Sequence, residues 1–264
     1  MADMKMLEPT DRGLSAGYMM WYRFSRNPAA VIGSLILLSV LVLAVFAPWL
    51  TPYPKHIGAV VDFRARHMPP DLEHWFGTDK AGRDIFSRTI FGLRVSLLLV
   101  IGVLGISVPV GTVLMLAMPP LVMALAVSNL LEPTLTNAMI AITLLWWTWH
   151  ARLIYSVSKS IASEDYIEAA RLAGAGPLHI LFREILPNCV SVISVKTTLD
   201  AAFVILFGAT LSFLGFGVKP PTPDLGSMVA DGRQFMPDFW WEVLCPGAAV
   251  LYVTLGFNLL GDGL

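Results

Sequence analysis

The chain has 264 residues, of which 56% are hydrophobic and only 14% are charged, whereas soluble domains carry about 25% charged residues. Together with a mean hydropathy of +0.68, this composition excludes an ordinary soluble protein and indicates a membrane protein. The 18 basic and 19 acidic residues give a net charge of −1, so no overall positive field favours a nucleic-acid partner. The cysteines, Cys189 and Cys245, lie in or beside apolar runs, which is typical of buried thiols and not of disulfide frameworks or zinc sites.

The first membrane span is predicted over residues 29–50. This run contains no charged residue, and as a helix it would reach about 33 Å, which is enough to cross a bilayer core. It is too long for a secretory signal, so we expect an uncleaved anchor behind a cytoplasmic N-terminal segment, residues 1–28. The cytoplasmic placement follows from the positive-inside rule. The basic residues that precede the span are Lys5, Arg12, Arg23 and Arg26.

Residues 51–94 are predicted to form an external loop, and the apolar run that follows, residues 95–131, has an awkward length. Its 37 residues are too few for two crossings of about 20 residues and too many for one. Another span is predicted over residues 137–155, and the basic, hydrophilic segment after it, residues 156–187, should be cytoplasmic. An even number of crossings must therefore precede that segment, so the 95–131 run must contribute two.

The remaining chain predicts two more crossings. Residues 188–214 lead outward, a loop rich in proline and glycine follows, and residues 246–260 return. The prediction is an all-α, polytopic membrane bundle of about six transmembrane helices, with both termini in the cytoplasm and one membrane domain over residues 29–264. The apolar runs are continuous, which disfavours the alternating strands of a membrane β-barrel.

The cytoplasmic segment carries the most informative local signals. Ser163 is predicted to cap a helix, Gly174 to end it in the left-handed conformation, and Pro177 to open a second helix. Ala169 and Ala170 give the first helix a low-relief face on which another protein could approach closely. A solvated loop that merely joins two spans is an equal alternative on this reasoning alone.

The spacing of Glu168-Ala169-Ala170, Gly174 and Leu186-Pro187 resembles the EAA signature of permease subunits in binding-protein-dependent ABC importers. The resemblance implies a type I importer fold whose coupling helices dock into clefts on ATPase subunits. One departure is Glu184, where the general pattern has isoleucine. The resemblance assigns ATPase coupling to Glu168, Ala169, Ala170, Gly174, Leu186 and Pro187.

Three longer stretches, residues 76–97, 211–233 and 257–264, are similar to the second permease subunit of the dipeptide, oligopeptide and nickel branch. That branch carries a longer segment between the positions of Gly111 and Leu114, which agrees with the shortage of residues in the 95–131 run. The resemblance implies a bacterial or archaeal cell membrane and a transport function, with short peptides the leading substrate class and nickel complexes, glutathione-like compounds and oligosaccharides left open. The implied partners are a second homologous permease, two ATPases that bind ATP and Mg²⁺, an extracytoplasmic solute-binding protein and the lipid bilayer.

The chain contains no G-x-x-x-x-G-K-[ST] motif, so it is expected to bind no nucleotide or other cofactor and not to be an enzyme itself. Lys196 and Asp200 stand one helical turn apart within a predicted span, where a charge costs about 2.5–3.5 kcal/mol on insertion scales. They either line a translocation path, or pair with each other or with another subunit and only fix the packing. The alternative function is an ion- or proton-coupled secondary transporter that works through these two residues. An intramembrane enzyme is the least supported, since no cluster of histidine, cysteine or acidic residues falls at catalytic spacing along a span.

In the external loop, Asp79, Arg83 and Asp84 are predicted either to contact a docked binding protein or to form a self-contained turn. The loop also contains three histidines at spacings of eleven and seven residues, which is not a ligand pattern, so no metal site is expected. They are His56, His67 and His74.

Overall fold

The computed structural model describes residues 24–113, 135–215, 217–218 and 221–263. This part of the chain is helical and contains no strand. In the first half the α-helices are α1 (Pro28–Val45), α2 (Ala47–Leu50), α3 (Ile85–Val113) and α4 (Leu135–Ile161). In the second half they are α5 (Asp165–Leu172), α6 (Pro177–His179), α7 (Leu186–Phe213), α8 (Leu225–Gly232) and α9 (Trp241–Gly263). A π-helical turn, Ile180–Ile185, joins α6 to α7.

Four helical stretches among the described residues are long and apolar enough to cross a membrane. They are Pro28–Val45, Ile85–Val108, Pro177–Phe213 and Trp241–Gly263. The span predicted over residues 137–155 lies within α4, which is more polar because it carries Asn137, His150 and Arg152. The second crossing predicted in the 95–131 run falls largely on residues outside the described ones. The all-α membrane bundle is confirmed, and the count of six spans stays a prediction.

Two predicted boundaries need correction. The external loop ends at residue 84 and not at 94, because α3 begins at Ile85, ten residues before the apolar run. The Asp84 carboxylate accepts a hydrogen bond from the backbone N–H of Ser87 at 2.8 Å, so it caps this early helix start. Similarly, α9 begins at Trp241 and contains Pro246, which was expected to open the last span.

The core lies where α3 meets α1, α4, α7 and α9. Buried aliphatic side chains fill it, among them Val40 of α1, Val103 of α3, Ile142 of α4, Val204 of α7 and Val253 of α9. By contrast, large apolar side chains such as Leu35, Leu38 and Leu41 stay exposed on the outer face of α1. Such faces suit contact with lipid, because hydrocarbon chains solvate them as well as a protein core would.

Close backbone contact between α1 and α9 depends on glycine. A Cβ atom at Gly33 would lie 2.4 Å from the backbone nitrogen of Leu260, and one at Gly256 would lie 2.5 Å from Ile36. Small residues at helix crossings allow the backbones to approach and gain van der Waals contact. These glycines therefore hold the first and last described spans side by side.

Candidate functional site

The cytoplasmic segment predicted from sequence folds as a compact turn between α4 and α7. Its helix α5 has Glu164 at the N-cap and no side-chain capping bond. The predicted cap, Ser163, is wrong, since its hydroxyl donates to the carbonyl oxygen of Ser160 at 2.7 Å. Ser163 thus closes the end of α4, while Asp165 and Glu168 in the first turn of α5 favour the positive end of the helix dipole.

The end of α5 follows the prediction. Gly174 has φ +89°, the left-handed conformation that glycine adopts at low cost. Two backbone bonds close the turn, from Gly174 N–H to Arg171 and from Ala175 N–H to Ala170, both at 3.0 Å. Pro177 then opens α6 as predicted. The second helix is not short, however, because the helical run that begins there continues through the π-helical turn and α7 to Phe213.

One buried residue anchors α5 to the rest of the bundle. Ile167 is fully buried and packs in a cluster with Ile180, Ile185 and Cys189. The Asn188 side chain also donates to the Tyr166 hydroxyl at 3.3 Å, which ties the start of α7 to α5. The cytoplasmic segment is therefore held to the ends of α4 and α7 from its inner side.

The opposite side of this segment is open. Leu172 is 84% exposed and Leu178 and Phe182 are more than half exposed, and a Cβ atom at Gly174 would meet nothing within 4 Å. Apolar exposure of this kind is typical of a surface that contacts another protein. Of the predicted coupling residues, Glu168, Ala169, Gly174 and Pro187 are exposed, while Ala170 and Leu186 are half-buried.

The two charges of the span predicted over residues 188–214 are paired with each other. The Lys196 ammonium donates to Asp200 Oδ1, and Asp200 is only 2% exposed whereas the Lys196 side chain is 29% exposed. Sequence reasoning missed a third member, His150 of α4, whose Nε2 lies 3.3 Å from Asp200 Oδ2. A histidine inside an apolar run was the available signal. The contacts favour mutual pairing, and a role in the translocation path stays a prediction.

The external residues Asp79, Arg83 and Asp84 bond mainly to other groups of their own loop. The Asp79 carboxylate accepts bonds from the backbone N–H groups of Ala81 (2.8 Å) and Arg83 (3.0 Å) and from Arg83 Nε (2.8 Å). Arg83 and Asp84 are buried. This geometry favours the self-contained turn over direct contact with a binding protein.

The three external histidines each contact an acidic residue, and two of them contact the same one, Asp84. His67 Nδ1 lies 2.6 Å from Glu242 Oε1, and His74 Nδ1 lies 2.9 Å from Asp84 Oδ1. His56 Nδ1 accepts the backbone N–H of Asp84 at 3.0 Å, and burial lowers the pKa of its ring below the ordinary 6.5. Across the described residues no group of three or more histidine, cysteine or acidic side chains could hold a metal ion.

Comparison with known proteins identifies the family of this chain. Residues 85–264 match the family described as binding-protein-dependent transport system inner membrane component. Residues 15–70 match the N-terminal transmembrane domain of oligopeptide transport permease C. The chain belongs to this family of permease subunits of ATP-driven importers, whose members are transport subunits and not themselves catalytic. This membership gives no support to the secondary-transporter alternative.

Relatives cover almost the whole chain. A putative peptide transport system permease protein of Brucella abortus is 38% identical over 96% of this chain and 92% of its own length. A probable D,D-dipeptide transport system permease protein of Escherichia coli is 34% identical over 94% and 89%. A di/tripeptide transport system permease protein of Pseudomonas aeruginosa is 36% identical over 92% and 88%. The first alignment has 274 columns, more than this chain has residues, so the relative contains residues that this chain lacks.

Proposed function

We propose that this chain is the permease through which short peptides cross a bacterial or archaeal cell membrane, driven by ATP hydrolysis on two partner ATPases. A second homologous permease completes the membrane pore, and an extracytoplasmic solute-binding protein delivers the peptide. ATP and Mg²⁺ bind to the ATPases, since this chain has no phosphate-binding loop. The peptide substrate is supported by the names of the three relatives.

The observation that carries this proposal is the two-sided character of α5. Its inner side is fixed to the bundle by the fully buried Ile167, while its outer side exposes Glu168, Ala169 and Leu172. A surface that is rigidly backed and openly presented can receive a push from a partner and pass it to the helices behind it. Nucleotide-driven movement of the ATPases would then shift the spans between inward-open and outward-open states.

The orientation of the chain follows from the same proposal and has a direct test. The cytoplasmic segment must face the ATPases, and the external loop must lie on the opposite side. Leu172 is 84% exposed and Leu72 is 95% exposed, so single cysteines at these two positions form a matched pair. In intact cells that express this chain without its ATPase partners, a membrane-impermeant thiol reagent should label Leu72→Cys and leave Leu172→Cys unlabelled until the membrane is permeabilised. Labelling of Leu172→Cys from outside would overturn the proposal.

The coupling role is tested by filling the low-relief face of α5. Ala169 is exposed, so Ala169→Trp adds bulk without disturbing the permease core. In the assembled transporter we expect this change to weaken ATPase co-purification about tenfold, and to lower peptide uptake in proteoliposomes accordingly. Leu72→Trp on the external side is the control and should keep both. Wild-type ATPase retention and uptake in Ala169→Trp would contradict docking at this face.

A further inference from the structure

The buried charge cluster of His150, Lys196 and Asp200 joins the two helices that enter and leave the cytoplasmic segment. His150 belongs to α4, which leads into that segment, and the other two belong to α7, which leads out of it. His150 is fully buried, and Asp200 is almost so. A charge placed inside a membrane protein is costly unless it is paired, so these side chains hold α4 and α7 together.

The hydrogen bond from His150 to Trp146 orients the imidazole ring toward Asp200. His150 Nδ1 lies 3.3 Å from the carbonyl oxygen of Trp146, one turn earlier on the same helix. A carbonyl oxygen can only accept, so Nδ1 carries the proton of that bond. Nε2 then faces Asp200 Oδ2 at 3.3 Å, and neither atom has a hydrogen-bond partner among the described residues. A carboxylate oxygen only accepts, so the two atoms attract each other when Nε2 also carries a proton and the ring is an imidazolium.

This cluster is the middle one of three contacts along an antiparallel helix pair. On the external side of it, the rings of Trp146 and Phe207 lie 5.8 Å apart. On the cytoplasmic side, Ser158 Oγ lies 3.6 Å from Cys189 Sγ. Cys189 also belongs to the apolar cluster that anchors Ile167 of α5. A continuous line of contacts thus runs from the cytoplasmic segment to the buried charge cluster.

We propose that His150 is a positioning residue for transport: through Asp200 it makes α4 and α7 move as one unit when the cytoplasmic segment is displaced. The proposal rests on the proposed function and deepens it, because it names the part of the bundle that carries the displacement. The apolar contacts keep the helices adjacent, whereas the contact between the His150 imidazolium and Asp200 fixes their register, since it is the charged contact between the two helices and is lost when they slide. Lys196 balances the remaining charge of Asp200.

The first test uses the assembled transporter in proteoliposomes, with a mixture of labelled di- and tripeptides. For His150→Ala and the nearly isosteric Asp200→Asn, we expect the ATP hydrolysed per peptide imported to rise about tenfold. The rate of ATP hydrolysis itself should stay within about twofold of wild type, which loss of folding or assembly would not allow. Thr198→Val is the control, because among the described residues the Thr198 hydroxyl donates to the carbonyl oxygen of Ser194 on its own helix.

A covalent replacement separates positioning from a chemical role on the substrate path. Ser158→Cys places a second thiol against Cys189, close enough for a disulfide after a small shift, and Cys245→Ala removes the other native thiol. When this pair is oxidised in the His150→Ala background, we expect the ATP-to-peptide ratio to return to within about twofold of wild type, and reduction should raise it again.

Each outcome has a definite meaning. An unchanged ATP-to-peptide ratio in both His150→Ala and Asp200→Asn would overturn the inference. Loss of uptake when the disulfide is formed with native His150 present would also overturn it, because transport would then require the two helices to slide. A ratio that rises but is not restored by the disulfide would also overturn it in favour of a path role. Uptake by the wild-type assembly without ATP would overturn the proposed function itself, and this inference with it.

Discussion

The external loop and the cytoplasmic segment are both polar connections between membrane helices, yet they are built in opposite ways. In the external loop a Cβ atom at Gly82 would lie 2.0 Å from the carbonyl oxygen of Asp62, and the nearby charged groups bond one another. In the cytoplasmic segment a Cβ atom at Gly174 or Gly176 would meet nothing within 4 Å. Large apolar side chains are exposed in both regions, Leu72 in the loop and Leu172 in the segment, so the difference lies in the turns. The turn of the loop is packed and bonded within this chain, whereas the turn of the segment leaves space for a partner.

The difference between the two regions shows that similar residues can form either a self-contained turn or a docking surface. Glycines and charges occur in both regions, so their presence alone does not identify a docking surface. The bonding of polar groups and the space around backbone atoms are more informative, because a turn whose polar groups are already bonded offers none of them to a partner. Substitutions in the two regions should therefore reduce the stability of the folded chain to different extents.

The largest expected effect concerns glycine. Gly82 has φ +76°, so Gly82→Ala combines left-handed strain with overpacking against Asp62, and we expect it to destabilise the folded permease by about 3 kcal/mol. Gly176 has φ −71° and open space, so Gly176→Ala should change stability by less than about 0.5 kcal/mol. The measurement is the thermal midpoint of the detergent-purified chain by size-exclusion chromatography after heating. Equal midpoints for the two variants would remove the contrast between the regions.

A smaller effect is expected for the charge network of the external loop. Asp79 accepts three hydrogen bonds, one of them from Arg83 Nε, so Asp79→Asn should cost about 2 kcal/mol by weakening charge-assisted bonds. Lys80→Ala removes only the half-exposed pair with Asp231 and should cost less than about 1 kcal/mol. The same heating assay ranks them. A larger loss for Lys80→Ala would show that the buried turn does not stabilise the loop.

The smallest expected effect is a pH dependence confined to the external loop. Burial lowers the pKa of His56 in the folded chain, with a lesser contribution from His74, so the unfolded chain binds a proton more strongly. The stability that depends on neutral His56 is therefore full above its unfolded pKa of about 6.5 and falls as the pH drops through the lower folded value. Protonation at Nδ1 would also remove the acceptor for the Asp84 amide.

This prediction is measured as a difference between two proteins. The thermal midpoint should fall more between about pH 7.5 and pH 5 for wild type than for His56→Gln, whose side-chain oxygen can still accept the Asp84 amide. The difference should be small compared with the effect of Gly82→Ala. Identical pH profiles for the two proteins would show that His56 does not report on the folding of the loop.

Local sequence signals predicted the helical class, most of the apolar spans and the turn of the cytoplasmic segment. Gly174 and Pro177 were placed correctly because backbone geometry restricts which residues can end or open a helix. The extent of α3 was not predicted from hydropathy, since its first turns carry Ser87, Arg88 and Arg94 and are fixed instead by the cap at Asp84. The Ser163 cap was wrong because the competing bond to Ser160 is equally local and cannot be ranked from sequence.

A helical membrane protein with a family signature on a polar turn could be predicted from the sequence, because length, hydropathy and backbone preference act over neighbouring residues. Which charges meet could not, because it depends on the tertiary structure. His150 lies fifty residues from Asp200 along the chain, and no periodicity connects them. Their contact, like the burial of Arg83 and Asp84, depends on how separate helices pack against one another, which is a property of the whole bundle.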